Sequence, residues 1–463
     1  MEVQYTYFTT VKQAVEWITE RKYAKKRPGL KRMELIMNKL GYPEKELKFI
    51  HIAGTNGKGS TCCFLTNILI SCKFNVGTFT SPYIEKYQDR IQYNGIDIDD
   101  NSLLLLMNYM KPIFDQLSQS DLGAPSMFEI STALALMYFS KIAKPDFVVW
   151  ETGIGGLLDS TNIVTPIISI ITNVGHDHMD QLGDTIEEVA VSKAGIIKKG
   201  IPVVSSVEHE EAIRVIKDYA LTQDAPLYLL NQEFYFETVK CEVNSQIINF
   251  YGPFQELINI EMGMNGSHQV KNLANVLMAM EILRNDYKFN INTRQLYEGI
   301  KQTYWPARLE MLSDSPQVLL DGAHNLEAMK ALTESLDSVY KYNKLHLLIG
   351  MTSTKNHKEI LEVILPLATT VIITEIDFFK KQDAKVLSDL ANEILVDSNL
   401  IGKVIVEKNW ENAFCLLINK SIPGDLGLIT GSLYLTSLIR SMVMKNQVGD
   451  ISKLKKELML NGG

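Results

Sequence analysis

The stretch His51–Thr61, which reads HIAGTNGKGST, decides the fold of this chain. It includes the end of the strand pattern LKFIHIA, which begins at Leu47, and it leads into the helix-forming run CCFLTNILI. A strand, a glycine-rich turn, a lysine and two hydroxyls in this order allow backbone N–H groups and a helix N-terminus to surround a polyphosphate. We therefore predict a phosphate-binding loop in a parallel α/β sheet, in which Lys58 meets the β and γ phosphates.

This loop departs from the strict G-x-x-x-x-G-K-[ST] pattern. It is shorter between Gly54 and Lys58, and Gly59 separates the lysine from the hydroxyls of Ser60 and Thr61. We expect one of these hydroxyls to face a metal ion. A glycine-rich turn with an unrelated lysine is the simpler explanation, but the strand-to-helix context favours the phosphate loop.

A second strand pattern, DFVVWE, ends in Glu151 and is followed by the glycine-rich stretch TGIGG. The carboxyl ends of parallel strands meet at one edge of a sheet, where the crevice beside a phosphate loop binds ligands. A carboxylate there can hold Mg²⁺, so we predict that Glu151 is a metal ligand. A solvated carboxylate is the alternative, although the glycines after it indicate close approach by another group.

Short apolar runs alternate with helical patterns, which is typical of mostly parallel sheets covered by helices. A chain of 463 residues exceeds what one core usually supports, so two domains are expected, with a ligand cleft between them. We predict an α/β fold: a P-loop-type, mostly parallel sheet domain over residues 1–306, a smaller Rossmann-like α/β domain over 307–445, and a tail over 446–463. Residues 228–252 alternate apolar and polar side chains, which predicts a small antiparallel excursion.

These predicted elements have definite bounds. The first domain has strand runs at Phe49–Ala53, Val76–Phe79, Phe147–Trp150, Ile167–Ile171 and Ile201–Val204, and helices at Phe128–Ile142 and Thr185–Ile197. The second has strand runs at Val318–Leu320, Leu345–Ile349, Val371–Thr374, Val404–Val406 and Leu428–Thr430.

The composition argues against several classes of protein. A net charge of -8 gives no support to nonspecific nucleic-acid binding, because polyanions are repelled. The five cysteines are odd in number and show no CxxC spacing, which suits a reducing compartment. The N-terminus is charged throughout, and no window approaches the roughly 18 uninterrupted apolar residues of a membrane helix. We therefore expect a cytoplasmic protein without membrane contact.

Several motifs occur in an order that resembles one known family. They are GTNGKGST from Gly54, TSPYIEKYQDRI from Thr80, FEISTALALMYF from Phe128, ETGIGGLLDSTNIV from Glu151, DHMDQLG from Asp177, SKAGIIKKG from Ser192, WPARLE from Trp305 and LDGAHN from Leu320. Together they resemble the folylpolyglutamate synthases, including their bifunctional dihydrofolate synthase relatives, within the Mur ligase superfamily. The resemblance covers roughly residues 25–440 and is far more specific than any single motif. It implies a central ATPase domain and a Rossmann-like C-terminal domain.

The resemblance also implies residues for nucleotide, metal and catalysis. For ATP binding it implies Asn56, Gly57, Lys58, Gly59, Ser60, Thr61, Asn272, Arg308 and Asp321. As ligands of two Mg²⁺ ions it implies Ser60, Ser81, Glu151, His178 and a carbamate formed on Lys193. As catalytic groups it implies Lys58, Lys193, His178 and His324. Taken alone, His178 would be an ordinary loop residue, Lys193 a helix-surface charge and His324 a cap of the helix after it.

For the folate substrate, the resemblance implies contacts in three segments. These residues are Gly29, Leu30, Lys31, Arg32, Ser126, Met127, Phe128, Glu129, Leu158, Asp159 and Ser160. Two nearby positions depart from the family: Leu157 stands where many members have arginine, and His176 replaces a residue that is usually apolar. The resemblance therefore leaves open whether dihydropteroate is accepted besides reduced folates.

The implied reaction adds L-glutamate to the γ-carboxylate of a tetrahydrofolate, with ATP converting that carboxylate into an acyl phosphate. The expected partners are ATP, a folate derivative and L-glutamate, without nucleic acid, and a monomer is expected. A Mur-type ligase acting on a cell-wall peptide precursor is one alternative, which the SKAGI and WPARLE forms disfavour. A regulatory nucleotide switch is the other, but the sequence lacks the guanine-reading NKxD motif that such a switch would need.

Overall fold

The structure, a computed structural model, describes residues 7–21 and 29–445, so the predicted tail 446–463 lies outside the described residues. The chain forms two compact units. The first comprises the described residues up to Glu237 together with Ile248–Glu261 and Val270–Thr303, and the second comprises Thr238–Ile247, Met262–Gln269 and the described residues from Tyr304 onward. The second unit thus includes two short segments from the middle of the chain, which the sequence patterns do not predict.

An eight-stranded sheet lies at the centre of the first unit. Its strands are β1 (Phe49–Ala53), β2 (Val76–Phe79), β3 (Ile91–Tyr93), β4 (Ile96–Asp97), β5 (Phe147–Glu151), β6 (Pro166–Ile171), β7 (Val203–Ser205) and β8 (Leu227–Leu229). Their order is β4-β3-β2-β5-β1-β6-β7-β8. The pairs from β2 to β8 are parallel, whereas β3 pairs antiparallel with β2 and with β4. The predicted mostly parallel sheet is confirmed, and the β3–β4 hairpin at its edge is an addition.

The described residues up to 303 form ten α-helices. They are α1 (Val11–Thr19), α2 (Lys31–Leu40), α3 (Lys58–Ser71), α4 (Asp100–Ser118), α5 (Met127–Met137), α6 (Met179–Leu182), α7 (Ile186–Ala194), α8 (Glu210–Thr222), α9 (Ser267–Asn285) and α10 (Thr293–Lys301). Helix α2 buries Met33, Ile36, Met37 and Leu40, the spacing of one helix face. The predicted helix Phe128–Ile142 is α5, continued by a π-helical turn at Tyr138–Ala143. Within the described ranges, none of the helices combines the length and apolar character needed to span a bilayer.

A separate three-stranded sheet occupies the region where the sequence predicts a small excursion. Its strands are β9 (Tyr235–Glu242), β10 (Ser245–Tyr251) and β11 (Glu256–Met262), in the order β11-β10-β9. Buried and partly buried residues alternate along β10, as expected when one face of a strand packs inward. The excursion extends past residue 252, because ELINIEM forms a further strand.

The second unit contains a six-stranded sheet. Its strands are β12 (Glu310–Asp314), β13 (Gln317–Leu320), β14 (Leu345–Ile349), β15 (Ala368–Ile373), β16 (Lys403–Val406) and β17 (Leu426–Thr430), in the order β12-β13-β17-β14-β15-β16. Its helices are α11 (Leu326–Val339), α12 (His357–Ile364), α13 (Ala384–Asp397), α14 (Trp410–Lys420) and α15 (Leu433–Lys445). All pairs except β12–β13 are parallel, which confirms the predicted Rossmann-like α/β character.

Successive strand residues of this sheet enter two different cores. Leu319 and Leu347 belong to one buried cluster, whereas their neighbours Leu320 and Leu348 belong to another. Side chains alternate between the faces of a strand, so both faces of this sheet are covered by apolar packing. Burial on both faces explains why these strands appear in the sequence as continuous apolar runs.

Candidate active site

The phosphate loop connects β1 to α3. Gly57 adopts a left-handed conformation with a φ of 83°, which glycine tolerates because it has no Cβ. A Cβ at this position would lie 2.3 Å from Oδ1 of Asn272 on α9. Helix α3 begins at the next residue, Lys58, so its first N–H groups are available to a phosphate. Asn272, predicted from the resemblance alone, thus lies against the loop.

The loop is held in place by the residues that follow β6. The backbone N–H groups of Thr55 and Asn56 donate to O and Oδ1 of Asn173 at 3.1 and 2.8 Å. In return, the hydroxyl of Thr172 donates to the carbonyl of Asn56 at 2.6 Å. Sequence reasoning missed Thr172 and Asn173, although both directly follow a predicted strand of the same sheet.

Lys58 and the two hydroxyl residues occupy the first turn of α3. The Lys58 ammonium donates to the carbonyl oxygens of Gly54 and Thr55 at 2.9 and 3.3 Å. Ser60 and Thr61 are buried, and Oγ1 of Thr61 has no hydrogen-bond partner among the described residues. The predicted ATP residues of the first unit are thus gathered on the loop, the start of α3 and the adjoining α9.

Two predicted metal ligands meet at the carboxyl ends of neighbouring strands. Glu151, the last residue of β5, is only 3% exposed. Its Oε2 accepts the backbone N–H of Ser81, which follows β2, at 2.8 Å. Because β5 lies between β2 and β1, both residues lie at the sheet edge from which the phosphate loop emerges. Burial of Glu151 makes the alternative of a solvated strand-end carboxylate wrong.

His178 has a different environment from Glu151. It is exposed, adopts a left-handed φ of 54° and directly precedes α6. Its Nε2 lies 4.0 Å from Oδ2 of Asp177. In the described part of the chain, no three His, Cys, Asp or Glu side chains are grouped to hold a metal ion. The predicted set contains only two such residues, and the others are hydroxyls and a modified lysine.

Lys193 is the least ordinary of the predicted residues. It lies on α7 and is 2% exposed. Burial and, to a smaller extent, the charge of Lys58 lower the pKa of Lys193 to about 7, against the opposing charge of Asp177. The alternative of a helix-surface charge is wrong, because the side chain is buried.

The first two predicted folate segments are joined by a buried ion pair. Arg32 and Glu129 are 2% and 5% exposed. Nε and Nη2 of Arg32 donate to the two carboxylate oxygens of Glu129, each at 2.8 Å. Oε2 of Glu129 also accepts the N–H and hydroxyl of Ser126, the residue that caps α5. These predicted contact residues therefore fix each other and bring residues 29–32 beside residues 126–129.

The third folate segment contains one exposed and one internally bonded residue. Leu158 is 69% exposed, and its Cδ2 lies 3.6 Å from the position that a Cβ on Gly29 would take. Asp159 is buried, and its Oδ2 accepts the N–H groups of Gly153 and Ile154 at 3.1 and 2.9 Å. Burial raises the pKa of Asp159, while these hydrogen bonds oppose the shift. Asp159 thus holds the loop after β5 in shape.

The departure at Leu157 concerns the same loop. Its side chain is 40% exposed, and its backbone N–H donates to the carbonyl of Ser192 at 2.7 Å. A Cβ on Gly195 would lie 2.3 Å from Cα of Leu157, so glycine is required where the two segments meet. This contact explains the small residue in the motif SKAG. The loop after β5 therefore packs on the end of α7, the helix that carries Lys193.

In the second unit, Arg308 and Asp321 are neighbours. Asp321 directly follows β13 and is 6% exposed. Nη1 of Arg308 donates to the carbonyl of Ala307 at 3.0 Å and would lie 2.4 Å from a Cβ on Gly322. Burial raises the pKa of Asp321, and the charge of Arg308 opposes that shift.

His324 does not cap the helix that follows it. Its Nδ1 lies 2.8 Å from the carbonyl oxygen of Gly322. The side chain of Asn325 caps α11 by accepting the N–H of Ala328 at 2.9 Å. The capping alternative for His324 is therefore wrong.

The backbone on both sides of Arg308 is unusual. Ala307 and Leu309 have φ values of 55° and 46°. For residues other than glycine, the left-handed conformation costs roughly 1–2 kcal/mol each. Two buried carboxylates accept the N–H groups of these residues: Oε2 of Glu310 for Ala307 at 2.8 Å and Oδ2 of Asp321 for Leu309 at 3.0 Å. Sequence reasoning assigned no role to Glu310, although this residue ends the motif WPARLE.

Comparison with known proteins agrees with this geometry. Residues 52–280 match the Mur ligase middle domain, and residues 307–433 match the Mur ligase, glutamate ligase domain. The fold and the site thus define a ligase of the Mur superfamily.

Individual relatives identify the branch of that superfamily. A dihydrofolate synthase/folylpolyglutamate synthase of Bacillus subtilis is 38% identical over 94% of this chain and 99% of its own. A folylpolyglutamate synthase structure from Thermotoga maritima has a TM-score of 0.81 at 28% identity, covering 94% of this chain and 97% of that one. The Mycobacterium tuberculosis enzyme complexed with ADP has a TM-score of 0.85 at 25% identity, covering 94% and 98%. The chain belongs to the dihydrofolate synthase/folylpolyglutamate synthase family.

Proposed function

We propose that the chain joins L-glutamate to the γ-carboxylate of a reduced folate, with ATP converted to ADP and phosphate. Membership of the family makes it an ATP-dependent carbon–nitrogen ligase of folate metabolism. The observation that supports the site most directly is the phosphate loop, held against Asn272 and flanked at the same sheet edge by Glu151. A cell-wall precursor is not favoured as substrate, since the relatives described above are named for folate.

In this reaction the folate carboxylate attacks the γ-phosphate, ADP leaves, and the glutamate amine then displaces phosphate from the acyl phosphate. Lys58 offsets negative charge as carboxylate and nucleotide approach. We propose that residues 56–61 and Asn272 hold the nucleotide phosphates. For the second unit, we propose that Arg308 and Asp321 contact the nucleotide and that His324 is a catalytic group.

The residues present fit two Mg²⁺ ions, as proposed from the family. Ser60, Ser81, Glu151, His178 and a carbamate on Lys193 would hold them, and the ions would offset phosphate charge. Lys193 gives the clearest test of fit, because an ammonium has no lone pair and repels cations. A buried amine with a pKa of about 7 is partly neutral near pH 7, and only the neutral amine reacts with CO₂. The carbamate that results is an anionic oxygen ligand suited to Mg²⁺.

For the folate, we propose the three segments 29–32, 126–129 and 158–160. The Arg32–Glu129 pair and the approach of Leu158 to Gly29 support this, because they place the segments side by side. We further propose that dihydropteroate is a second acceptor, in line with the bifunctional name of the Bacillus subtilis relative.

We also propose a cytoplasmic monomer that binds no nucleic acid, with the domain boundary near residue 307. One observation supports the location and another supports the absence of nucleic acid. All five cysteines lie within the described ranges and none of them forms a disulfide, as in a reducing compartment. The net charge of -8 is unfavourable for polyanion binding.

An ADP-release assay tests the proposed reaction. We expect release with ATP and Mg²⁺ only when L-glutamate is added together with tetrahydrofolate, a methylene derivative of it, or dihydropteroate. A cell-wall peptide precursor serves as the negative acceptor. Release with that precursor and not with the folates would contradict the proposed function, whereas inactivity of dihydropteroate alone would remove only the second acceptor.

A further inference from the structure

We propose that Glu310 is a positioning residue that fixes the orientation of Arg308, and that it does so together with Arg440 and Tyr304. The inference rests on the proposed contact between Arg308 and the nucleotide. All four residues belong to the second unit.

The first step is the environment of the Glu310 carboxylate. It lies at the start of β12 and is 5% exposed. Nε of Arg440, on α15, lies 3.0 and 3.1 Å from its two oxygens, and the hydroxyl of Tyr304 donates to Oε1. Burial and the neighbouring carboxylate raise the pKa of Tyr304 to about 12, so this hydroxyl remains a donor at neutral pH. The carboxylate is therefore held in place by two side chains that are distant from each other in the sequence.

The second step is what the fixed carboxylate does. Its Oε2 accepts the N–H of Ala307. Ala307 has a left-handed φ of 55°, which is unfavourable for any residue with a Cβ. Without this acceptor, the N–H would be left unpaired inside the protein and the backbone would favour a different conformation. Because Arg308 follows directly and its Nη1 donates to the Ala307 carbonyl, a change of backbone at Ala307 would move the guanidinium.

The third step distinguishes Glu310 from the carboxylate on the other side. Asp321 accepts the N–H of Leu309, but it is itself a proposed nucleotide contact. The carboxylate of Glu310, in contrast, accepts hydrogen bonds from Arg440, Tyr304 and Ala307. A buried ion pair is weak evidence for stability, and in some proteins such a pair instead holds a defined conformation. Here the conformation that is held is the left-handed backbone at Ala307.

A double-mutant cycle tests the proposal in the full-length enzyme. We expect Glu310→Gln to lower kcat/KM for ATP by about 10- to 100-fold, the size of effect seen when a contact group is displaced. In an Arg308→Ala background, adding Glu310→Gln should lower kcat/KM by less than about twofold, because coupled residues are not additive. Arg440→Lys, which keeps the charge and loses the planar fork, should show a smaller loss with the same dependence on Arg308.

The matched control is Asp389→Asn, which removes an exposed carboxylate paired with Lys385 on α13 and should leave kcat/KM unchanged. Unfolding midpoints identify any variant that fails to fold. If Glu310→Gln fails to fold, Arg440→Lys takes its place in the double-mutant cycle. Full activity of Glu310→Gln, or losses that simply multiply with that of Arg308→Ala, would overturn the inference. If Arg308→Ala itself were fully active, the proposed contact between Arg308 and the nucleotide would be wrong. The inference about Glu310 rests on that contact and would then be wrong as well.

Discussion

Lys58 and Lys193 belong to different helices of the first unit, yet the charge of one contributes to the lowered pKa of the other. Two ammonium groups in one region oppose each other unless an anion intervenes. A nucleotide phosphate can supply negative charge beside Lys58, and conversion of Lys193 to a carbamate replaces its positive charge with a negative one. The proposed nucleotide and metal sites therefore remove an electrostatic conflict that the polypeptide leaves unresolved.

Lys193→Ala is expected to abolish ligation, because the carbamate oxygens would be lost. A short carboxylate such as acetate should restore part of the activity by occupying the space left by the side chain. The control is Lys199→Ala, at an exposed position six residues later on the chain. Full activity of Lys193→Ala in the absence of acetate would exclude the carbamate.

Glu151→Gln should raise the Mg²⁺ concentration required for half-maximal activity, since an amide keeps the shape of the side chain and loses its charge. The comparison is with Glu85→Gln, an exposed carboxylate on the loop after β2. Titration of ADP release against Mg²⁺ measures the effect. An unchanged Mg²⁺ dependence would rule out Glu151 as a ligand.

At the scale of elements, α9 links the phosphate loop to the β10–β11 turn. Asn272 near its start lies against Gly57, and Glu281 further along lies beneath Gly252, where a Cβ would come within 2.4 Å of Oε2. Glu281 is 1% exposed, and burial raises its pKa from 4.5 to about 7, with the charge of Arg284 among the opposing effects. A carboxyl group with such a pKa makes the packing of this helix depend on pH.

The sign of that dependence follows from proton binding. Between pH 4.5 and about 7 the folded state holds the Glu281 proton more tightly than the unfolded state, so this group's stabilisation is complete below pH 4.5 and is lost as pH rises through 7. Glu281→Gln resembles the protonated form, and it should raise the unfolding midpoint at pH 8 while leaving it nearly unchanged at pH 5. Equal effects at the two pH values would contradict the assignment.

At the scale of the whole molecule, the sequence predicts the strands that are buried on both faces, because continuous apolar runs distinguish them. It also predicts the phosphate loop, whose glycines and lysine are local. It does not predict pairings that depend on distant partners, such as Arg32 with Glu129, which are separated by 97 positions. Nor does the sequence predict β12, because EMLSD is a half-polar edge strand without a distinctive pattern.

The second unit includes two segments that precede residue 304 in the chain, and these segments bear on its stability. Thr238–Ile247 and Met262–Gln269 precede the predicted boundary at residue 307, yet both belong to the second unit. Within it, the buried Asn265 donates to the hydroxyl of Tyr340 at 3.0 Å, and Gln246 donates to the carbonyl of Met264 at 2.6 Å. A cut at residue 307 therefore removes part of the unit that it is meant to isolate.

We accordingly expect a fragment of residues 304–445 to unfold at a lower denaturant concentration than the same unit in the full chain. Asn265→Ala in the full chain should reproduce part of the loss, about 1 kcal/mol or more, because it leaves the Tyr340 hydroxyl without that partner in a buried position. Asn101→Ala, at an exposed position on α4 in the first unit, is the control. Denaturant unfolding followed by fluorescence of Trp410, on α14, would report the second unit, provided that the tryptophans at 17, 150 and 305 are replaced by phenylalanine. If the fragment were as stable as the unit in the full chain, the two short segments would not contribute to the stability of the second unit. Residue 307 would then mark the start of an independently stable domain.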